Sequence, residues 1–437
     1  MYENSNQTTI QSESAIDSKK VEQFLANIQV ISELSKVNPN IDILKSYQGF
    51  GGLKQCFNSK QLYGKLMQAI RGIYSKEQEH EIFNVLRHSC KSAYYTPKEI
   101  VTFMYRYLME VCEFKGGAIL EPSCGNGIFF EHMPESIRGK SVITGVEMDL
   151  ITGKIVESIY PDINIVNDSL QNIDFNSLGG KYDLIIGNPP YSGEKVIDLS
   201  MPDISNYTIH HYFTAKCIRL LKKNGILAFV LPSYFFDIPR RNTRTIIDGE
   251  AVLIDAVRLP ENLFQQAKVT VDIIFFRKTG NKMHNFANTV VFKNGNKFDN
   301  VNEYWQARPH RVLGNLSLKW VNAYERYVPC CVTDDKDKTL NYLINCKFDC
   351  STLENFYNIS RGKTYETYTN EIPRDAVNLL GESFITVEEL FMEVSVLVKS
   401  AQSLSHDLAK VHDRLRKVHN DLWVIHERLG LADNSEN

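Results

Sequence analysis

Between residues 115 and 280 the apolar positions fall in short blocks with no polar alternation: "GGAILEP", "SVITGVEM", "INIVND", "YDLIIGN", "GILAFVLP", "AVLIDAVRLP" and "VDIIFFRK". A strand with one wet face would alternate, so continuous apolar blocks of this length suit strands covered on both faces. Helical stretches separate most of them, which predicts a three-layer α/β arrangement around a parallel sheet. The last two blocks are close together and predict an antiparallel pair at one edge.

The flanks read differently. Residues 1–20 are polar and predict a disordered tail, and residues 21–90 predict a helical segment broken at "YQGFGGL", where Gly49, Gly51 and Gly52 mark a turn. "YYTPKEIVTFMYRYLMEVC" predicts a helix with Pro97 near its first turn, opening the α/β domain over 91–280. Residues 281–385 lose the strand–helix rhythm, are rich in Asn, Tyr and Lys, and predict a small accessory domain. From Leu390 to Leu429 apolar residues recur four and three apart, a heptad seam that predicts a long coiled-coil helix over 386–430. One helix cannot bury both sides of that seam, so it calls for a second copy, another protein or the body of this chain. His412, His419 and His426 follow the same seven-residue spacing beside the seam and read as solvated flanking positions.

Composition narrows the function classes. The 437 residues are 43% hydrophobic and 23% charged, an ordinary globular balance. No stretch reaches the roughly 18 apolar residues of a membrane span, so no membrane association and a cytoplasmic location are expected. A net charge of −3 restricts any nucleic-acid surface to a local patch. Cys330, Cys331, Cys346 and Cys350 are the tightest of nine cysteines, but their spacing does not make two zinc-ligand pairs, so reduced thiols and no metal are expected.

Candidate chemistry sits where the predicted strands end. "EPSCGNGIFF" supplies Glu121, Pro122 and a turn with Gly125 and Gly127; "GVEMD" ends a second strand with Glu147; "INIVNDSL" carries Asp168; "YDLIIGNPPYSG" ends in Asn188, Pro189, Pro190 and Tyr191. Glu147 stands where an acidic side chain accepts from ribose hydroxyls in open α/β sheets. Prolines lack an N–H and fix φ, so the Asn-Pro-Pro-Tyr turn is stiff and offers carbonyl acceptors without competing donors.

In this order, "YYTP", "EPSCGNGIF", "GVEMD", "ND" and "NPPY", the chain resembles S-adenosylmethionine-dependent N6-adenine DNA methyltransferases. With "GFGGL", "SYFFD" and "RLPENLF" it is most similar to the methylase portion of helicase–methylases of phages and conjugative elements, over about residues 45–280. The resemblance implies a Rossmann-like, seven-stranded class I methyltransferase core. It implies that Tyr95 and Thr96 border the methionine end of the cofactor, and that Glu121, Pro122, Gly125 and Gly127 lie along its methionine and sulfonium. Glu147 would bind the ribose, Asp168 the adenine amino group, and Asn188 to Tyr191 would form the catalytic turn beside the methyl donor. The implied partner is double-stranded DNA, with a homo-oligomer or specificity partner through the coiled coil. RNA or protein-glutamine methylation by the same chemistry, and a catalytically silent assembly subunit, are the alternatives. Candidate DNA contacts are Arg240, Arg241 and Arg244, then Arg308, His310, Arg311, Arg361 and Lys363, and Ser192–Asn206 reads as a loop that orders on substrate binding.

Overall fold

The computed structural model describes residues 16–89, 96–173, 182–239, 242–264, 268–279 and 288–348. Tyr95, Arg240, Arg241, Cys350, Arg361, Lys363 and the heptad segment lie outside the described residues.

Four helices come first: α1 (Ser18–Glu33), α2 (Ile41–Lys45), α3 (Lys60–Arg71) and α4 (Lys76–Ser89). Asp17 caps α1 and Asn40 caps α2 by accepting from their first backbone N–H groups. Phe24, Phe50 and Phe57 meet edge-to-face at the centre of this subassembly, with centroids 5.1–5.4 Å apart.

Helix α5 (Lys98–Glu110) leads into β1 (Ala118–Glu121), short α6 (Ile128–Glu131) and α7 (Glu135–Arg138), then β2 (Val142–Val146), α8 (Leu150–Ile159) and β3 (Asn164–Val166). Strand β4 (Tyr182–Gly187) is followed by a two-residue ribbon, β5 (Lys195–Val196) and β6 (Tyr207–Thr208). Next come α9 (Ile209–Leu220), β7 (Leu221–Pro232), α10 (Tyr234–Asp237), α11 (Asn242–Glu250), β8 (Ala251–Leu259) and β9 (Val271–Lys278). Two hairpins, β10 (Thr289–Asn294) with β11 (Lys297–Asn302) and β12 (Asn315–Val321) with β13 (Arg326–Val332), flank α12 (Glu303–Ala307), and α13 (Lys336–Asn345) follows.

All seven apolar blocks are strands of one sheet, in the order β3-β2-β1-β4-β7-β9-β8. The first five are mutually parallel, whereas β9 is antiparallel to both neighbours and brings β8 to the edge, as the close spacing of the last two blocks predicted. This is a Rossmann-like, seven-stranded α/β core, the architecture expected above. Alternate residues serve opposite layers: Ile119, Leu184 and Ile186 join the core under α5, while Leu120 and Ile185 join the core under α9. Tyr107 of α5 stacks on Phe275 of β9 at 4.1 Å. Ile151 and Ile155 of α8 pack into the N-terminal helices, which docks that subassembly beside the sheet.

Residues 288–348 share the sheet's cores. Val301, Tyr304 and Trp305 lie in the α9-side core and Leu343 and Cys346 in the α5-side core. Cys330, Cys331 and Cys346 are buried, and burial pushes the Cys331 thiol up to about 12. Among the described residues no group of three His, Cys, Asp or Glu is arranged to hold a metal ion. No described helix is long and apolar enough to cross a membrane.

One buried ion cluster ties this half together. Arg258, in "RLPENLF", is fully buried, reaches Asp272 from Nε and Nη2 at 2.8 Å each, and pairs Nη1 with Asp237 at 2.8 Å. Its guanidinium also covers the Trp305 ring at 4.4 Å, so strands β8 and β9 and helices α10 and α12 converge on one cation. Truncating it would leave two carboxylates buried without their cation. Arg258→Ala should therefore cost about 3–5 kcal/mol in denaturant unfolding, whereas replacing all three charged groups with apolar residues should cost much less.

Candidate functional site

Strand order reverses between β1 and β4, and in open α/β sheets ligands bind beyond the carboxyl ends of the strands at that point. A cavity of about 500 Å³ opens there, within the range of about 300–1,000 Å³ usual for small-molecule sites. It is lined by Thr96, Glu121, Pro122, Gly125, Glu147, Asp168, Asn188 and Pro190, which four strand ends and the start of α5 bring together.

Glu121 ends β1 and is only 1% exposed, and its Oε2 has no hydrogen-bond partner among the described residues. Burial, then the charge of Glu147, holds its carboxyl well above the usual range. Glu147, one residue past β2, accepts from the Gly125 and Asp149 backbone N–H groups at 2.9 Å each. Those bonds orient the carboxylate but do not offset its desolvation. Burial and the neighbouring Asp149 raise its pKa to about 7. Asp149 caps α8 through Ile151 N at 2.9 Å and Thr152 N at 3.3 Å, and burial raises it as well. Asp168, past β3, is exposed; its Oδ1 accepts from Ser169 N at 2.6 Å and Asn172 Nδ2 at 3.0 Å. Lys195 is the one lysine or arginine among the described residues lining the cavity. The wall is thus acidic and short of cations, with free acceptor capacity.

Of the two glycines in the β1 turn, Gly125 (φ 52°) lines the cavity and Gly127 (φ 79°) does not. A Cβ on Gly127 would sit 2.7 Å from Cε2 of Tyr160, so Gly127 lets the turn close against α8 from behind.

The Asn188 turn is fastened from two sides. Ser123 Oγ donates to the Asn188 carbonyl at 3.4 Å, joining the β1 and β4 loops. The Tyr191 hydroxyl lies 2.8 Å from the Val230 carbonyl of β7 and also bonds the Asn188 side chain. Asn188 and Pro190 face the cavity, whereas buried Pro189 and half-buried Tyr191 are not among its lining residues.

Several lining residues escaped sequence reasoning. Tyr47, Gly49 and Phe50 come from "YQGFGGL" and Val85 from α4, so the N-terminal helices close one side of the cavity. Thr152 Oγ1 donates to Tyr47 Oη at 3.3 Å, which fastens that turn to α8. The glycines beside two aromatic rings were the available signal.

Three basic candidates for DNA contact have other employment. Arg244 is 1% exposed and donates to the Phe235 carbonyl at 3.3 Å, so it is no part of a surface patch. Arg311 pairs with buried Asp255 at 2.6 Å, and exposed Arg308 lies over the Tyr304 ring at 4.6 Å. His310 is exposed. Ser192–Asn206 carries a buried anchor that its polar sequence does not announce. Buried Asp198 accepts from Lys216 Nζ at 2.8 Å, Tyr212 Oη at 2.5 Å and Ser200 N at 2.8 Å, pinning the segment to α9.

The Eco57I restriction-modification methylase family matches residues 129–262. The modification methylase CviBIII of Paramecium bursaria Chlorella virus NC1A is 35% identical over 153 residues, 34% of this chain and 39% of that protein. Type II methyltransferase M.CvrRI of Paramecium bursaria Chlorella virus XZ-6E is 30% identical over 206 residues, 46% of this chain and 52% of that protein. The chain thus spans about half the length of the curated relatives it matches. A type I restriction-modification methyltransferase subunit from Streptococcus thermophilus aligns over 79% of this chain and 80% of its own, at 14% identity and a TM-score of 0.42.

The resemblance described above implies S-adenosylmethionine as the cofactor, and the residues that line the cavity fit it. It carries an ammonium and a sulfonium, and the buried carboxylates with an unpartnered Glu121 Oε2 suit a cation; its ribose offers hydroxyl donors to Glu147. The Glu147 pKa gives a test with a definite sign. Raised from 4.5 to about 7, it keeps a proton in the folded protein that the unfolded chain has lost across that window. Its contribution to the stability of the ligand-free protein therefore falls as pH rises from 4.5 to about 7. Cofactor affinity should move oppositely, rising through the same window as the carboxylate ionises. Calorimetric titration on both sides of pH 7 should show the rise, and Glu147→Gln should bind more weakly with a flatter pH response.

Proposed function

We propose that this chain transfers a methyl group from S-adenosylmethionine to the exocyclic N6 amino group of adenine in double-stranded DNA. The observation that carries the reading is that Asn188 and Pro190 of the stiff Asn-Pro-Pro-Tyr turn border the same cavity as Glu121, Glu147 and Gly125. A nitrogen-acceptor turn beside a cation-seeking, hydroxyl-accepting pocket suits transfer of a methyl group to a planar amine.

When bound, S-adenosylmethionine supplies an electrophilic methyl group on a sulfonium. The chain's residues must then make a poor nucleophile react, because the lone pair of the adenine amino group is delocalised into the ring. The Asn188 side-chain oxygen and the Pro189 carbonyl accept from that amino group, which localises the lone pair and stabilises the positive charge that develops on nitrogen. As the N–C bond forms the S–C bond breaks, and the surplus proton on nitrogen leaves to water without a dedicated base. The prolines offer no N–H to repel the amino hydrogens. Tyr191, half-buried and held at Val230 by its hydroxyl, supplies the ring on which the base stacks, a contact worth about 1–3 kcal/mol. An adenine within a duplex reaches such a turn only by flipping out of the stack. The names of the relatives, modification methylase and type II methyltransferase, support DNA as the substrate.

The test is incubation with tritiated S-adenosylmethionine and, separately, unmethylated duplex DNA, RNA and a release-factor protein. Label should enter DNA and be recovered as N6-methyladenine. Asn188→Ala should lower the rate by about 10²–10³-fold while cofactor binding persists. Tyr191→Ala should act chiefly on productive base binding. Label confined to RNA or protein would overturn the substrate assignment.

A further inference from the structure

Five residues past the catalytic turn the chain alternates sharply: Val196 is buried, Ile197 is 71% exposed, Asp198 is buried, and Leu199 is 91% exposed. Single exposed leucines are common and need no account. This one differs in what holds it. The β5–β6 ribbon closes the base of the segment, with Asn206 N donating to the Val196 carbonyl at 2.7 Å and Ile209 N to the Glu194 carbonyl at 2.9 Å. Ile204 is fully buried. Between the two exposed apolar side chains, the Asp198–Lys216 pair is sunk to 2% and 1% side-chain exposure and reinforced by Tyr212 and Ser200. Burying an ion pair carries a desolvation cost that its attraction at best offsets, so it is poor evidence of a device for stability. Here it fixes an apolar prong in a set position. Exposed Ile197 lines the same cavity as Asn188, and Leu199, two residues on, is exposed and not among its lining residues.

We propose that Leu199, backed by Ile197, is a positioning wedge that enters the base stack of duplex DNA beside the target adenine and fills the space left when that base flips out. The proposal rests on the DNA reading above and adds how the extrahelical base is kept out. Apolar side chains inserted between base steps unstack and kink duplexes in other DNA-binding proteins, and the cost of flipping is least where the base is already unpaired. A rigid apolar prong next to a turn that must receive an extrahelical base meets that need. Nothing in the wedge touches the reacting atoms.

The experiment compares wild type, Leu199→Ala and Leu199→Met on two oligonucleotide duplexes containing a site mapped by sequencing N6-methyladenine in DNA from expressing cells. One duplex is fully paired, and the other has an abasic position opposite the target adenine. Leu199→Ala should lose about tenfold or more in single-turnover rate on the paired duplex and recover to within about threefold of wild type on the abasic one. Cofactor affinity without DNA should be unchanged, and Leu199→Met, which keeps an apolar prong, should stay near wild type on both. Equal loss on both duplexes, or no loss on either, overturns the wedge. A change of oligomeric size without duplex-specific loss also overturns it and assigns the prong to a protein interface. Wild type that labels no DNA at all removes the DNA reading itself, and the wedge with it.

Discussion

Leu120 of β1 pairs with Ile185 of β4, and the geometry of the candidate site follows from that register. One residue beyond the pair on β1 is Glu121; three residues beyond it on β4 is Asn188. The acid therefore sits at the end of its strand, while the amide sits in the turn just past the end of β4. Gly187 between them brings the strands' ends close, since a Cβ there would be 3.4 Å from Glu121 Cγ. The helices after β1 and β4 leave toward opposite faces, so nothing in the sheet itself fills the crevice. A slip of one residue would exchange the two layers of the core, turning Leu184 and Ile186 toward α9 and Ile185 toward α5. Packing on both faces thus guards the relation between the acid and the amide.

The cavity wall is an electrostatic liability to the empty protein. Glu121, Glu147 and Asp149 are all pushed toward their neutral forms by burial, and backbone donors offset part of this only for Glu147 and Asp149. A cationic ligand with hydroxyl donors relieves this, so part of its binding energy is spent correcting a deficit built into the fold. Occupancy and stability are linked in such a site, because a ligand that binds only the native state shifts the unfolding equilibrium.

Much of the fold was legible because burial on two faces leaves a mark in sequence. All seven apolar blocks became sheet strands, and the pairing of the last two was visible from their spacing. The acid and amide positions were legible because they terminate those blocks. What stayed hidden depends on distant contacts. Arg244 and Arg311 look like any surface arginine in sequence, since nothing local announces that Phe235 and Asp255 will take them inside. Asp198 and Lys216 lie eighteen positions apart, and only their common burial turns a polar loop into a fixed one. Tyr47 and Phe50 belong to a helical segment whose role appears only when α8 docks it against the sheet.

The way the hairpins are attached limits how this chain can diversify. Trp305 and Tyr304 are embedded beneath the sheet and Leu343 seals the opposite layer, so residues 288–348 are spliced into the α/β body at several points. A segment joined in this manner cannot be exchanged as a cassette, because any transplant would tear open both layers at once. Variation is free only on outward faces, where Phe298, Trp320 and Tyr324 are exposed at 68%, 52% and 68%. New contact preferences in such a lineage would have to be acquired by resurfacing, one side chain at a time, with the scaffold beneath held constant.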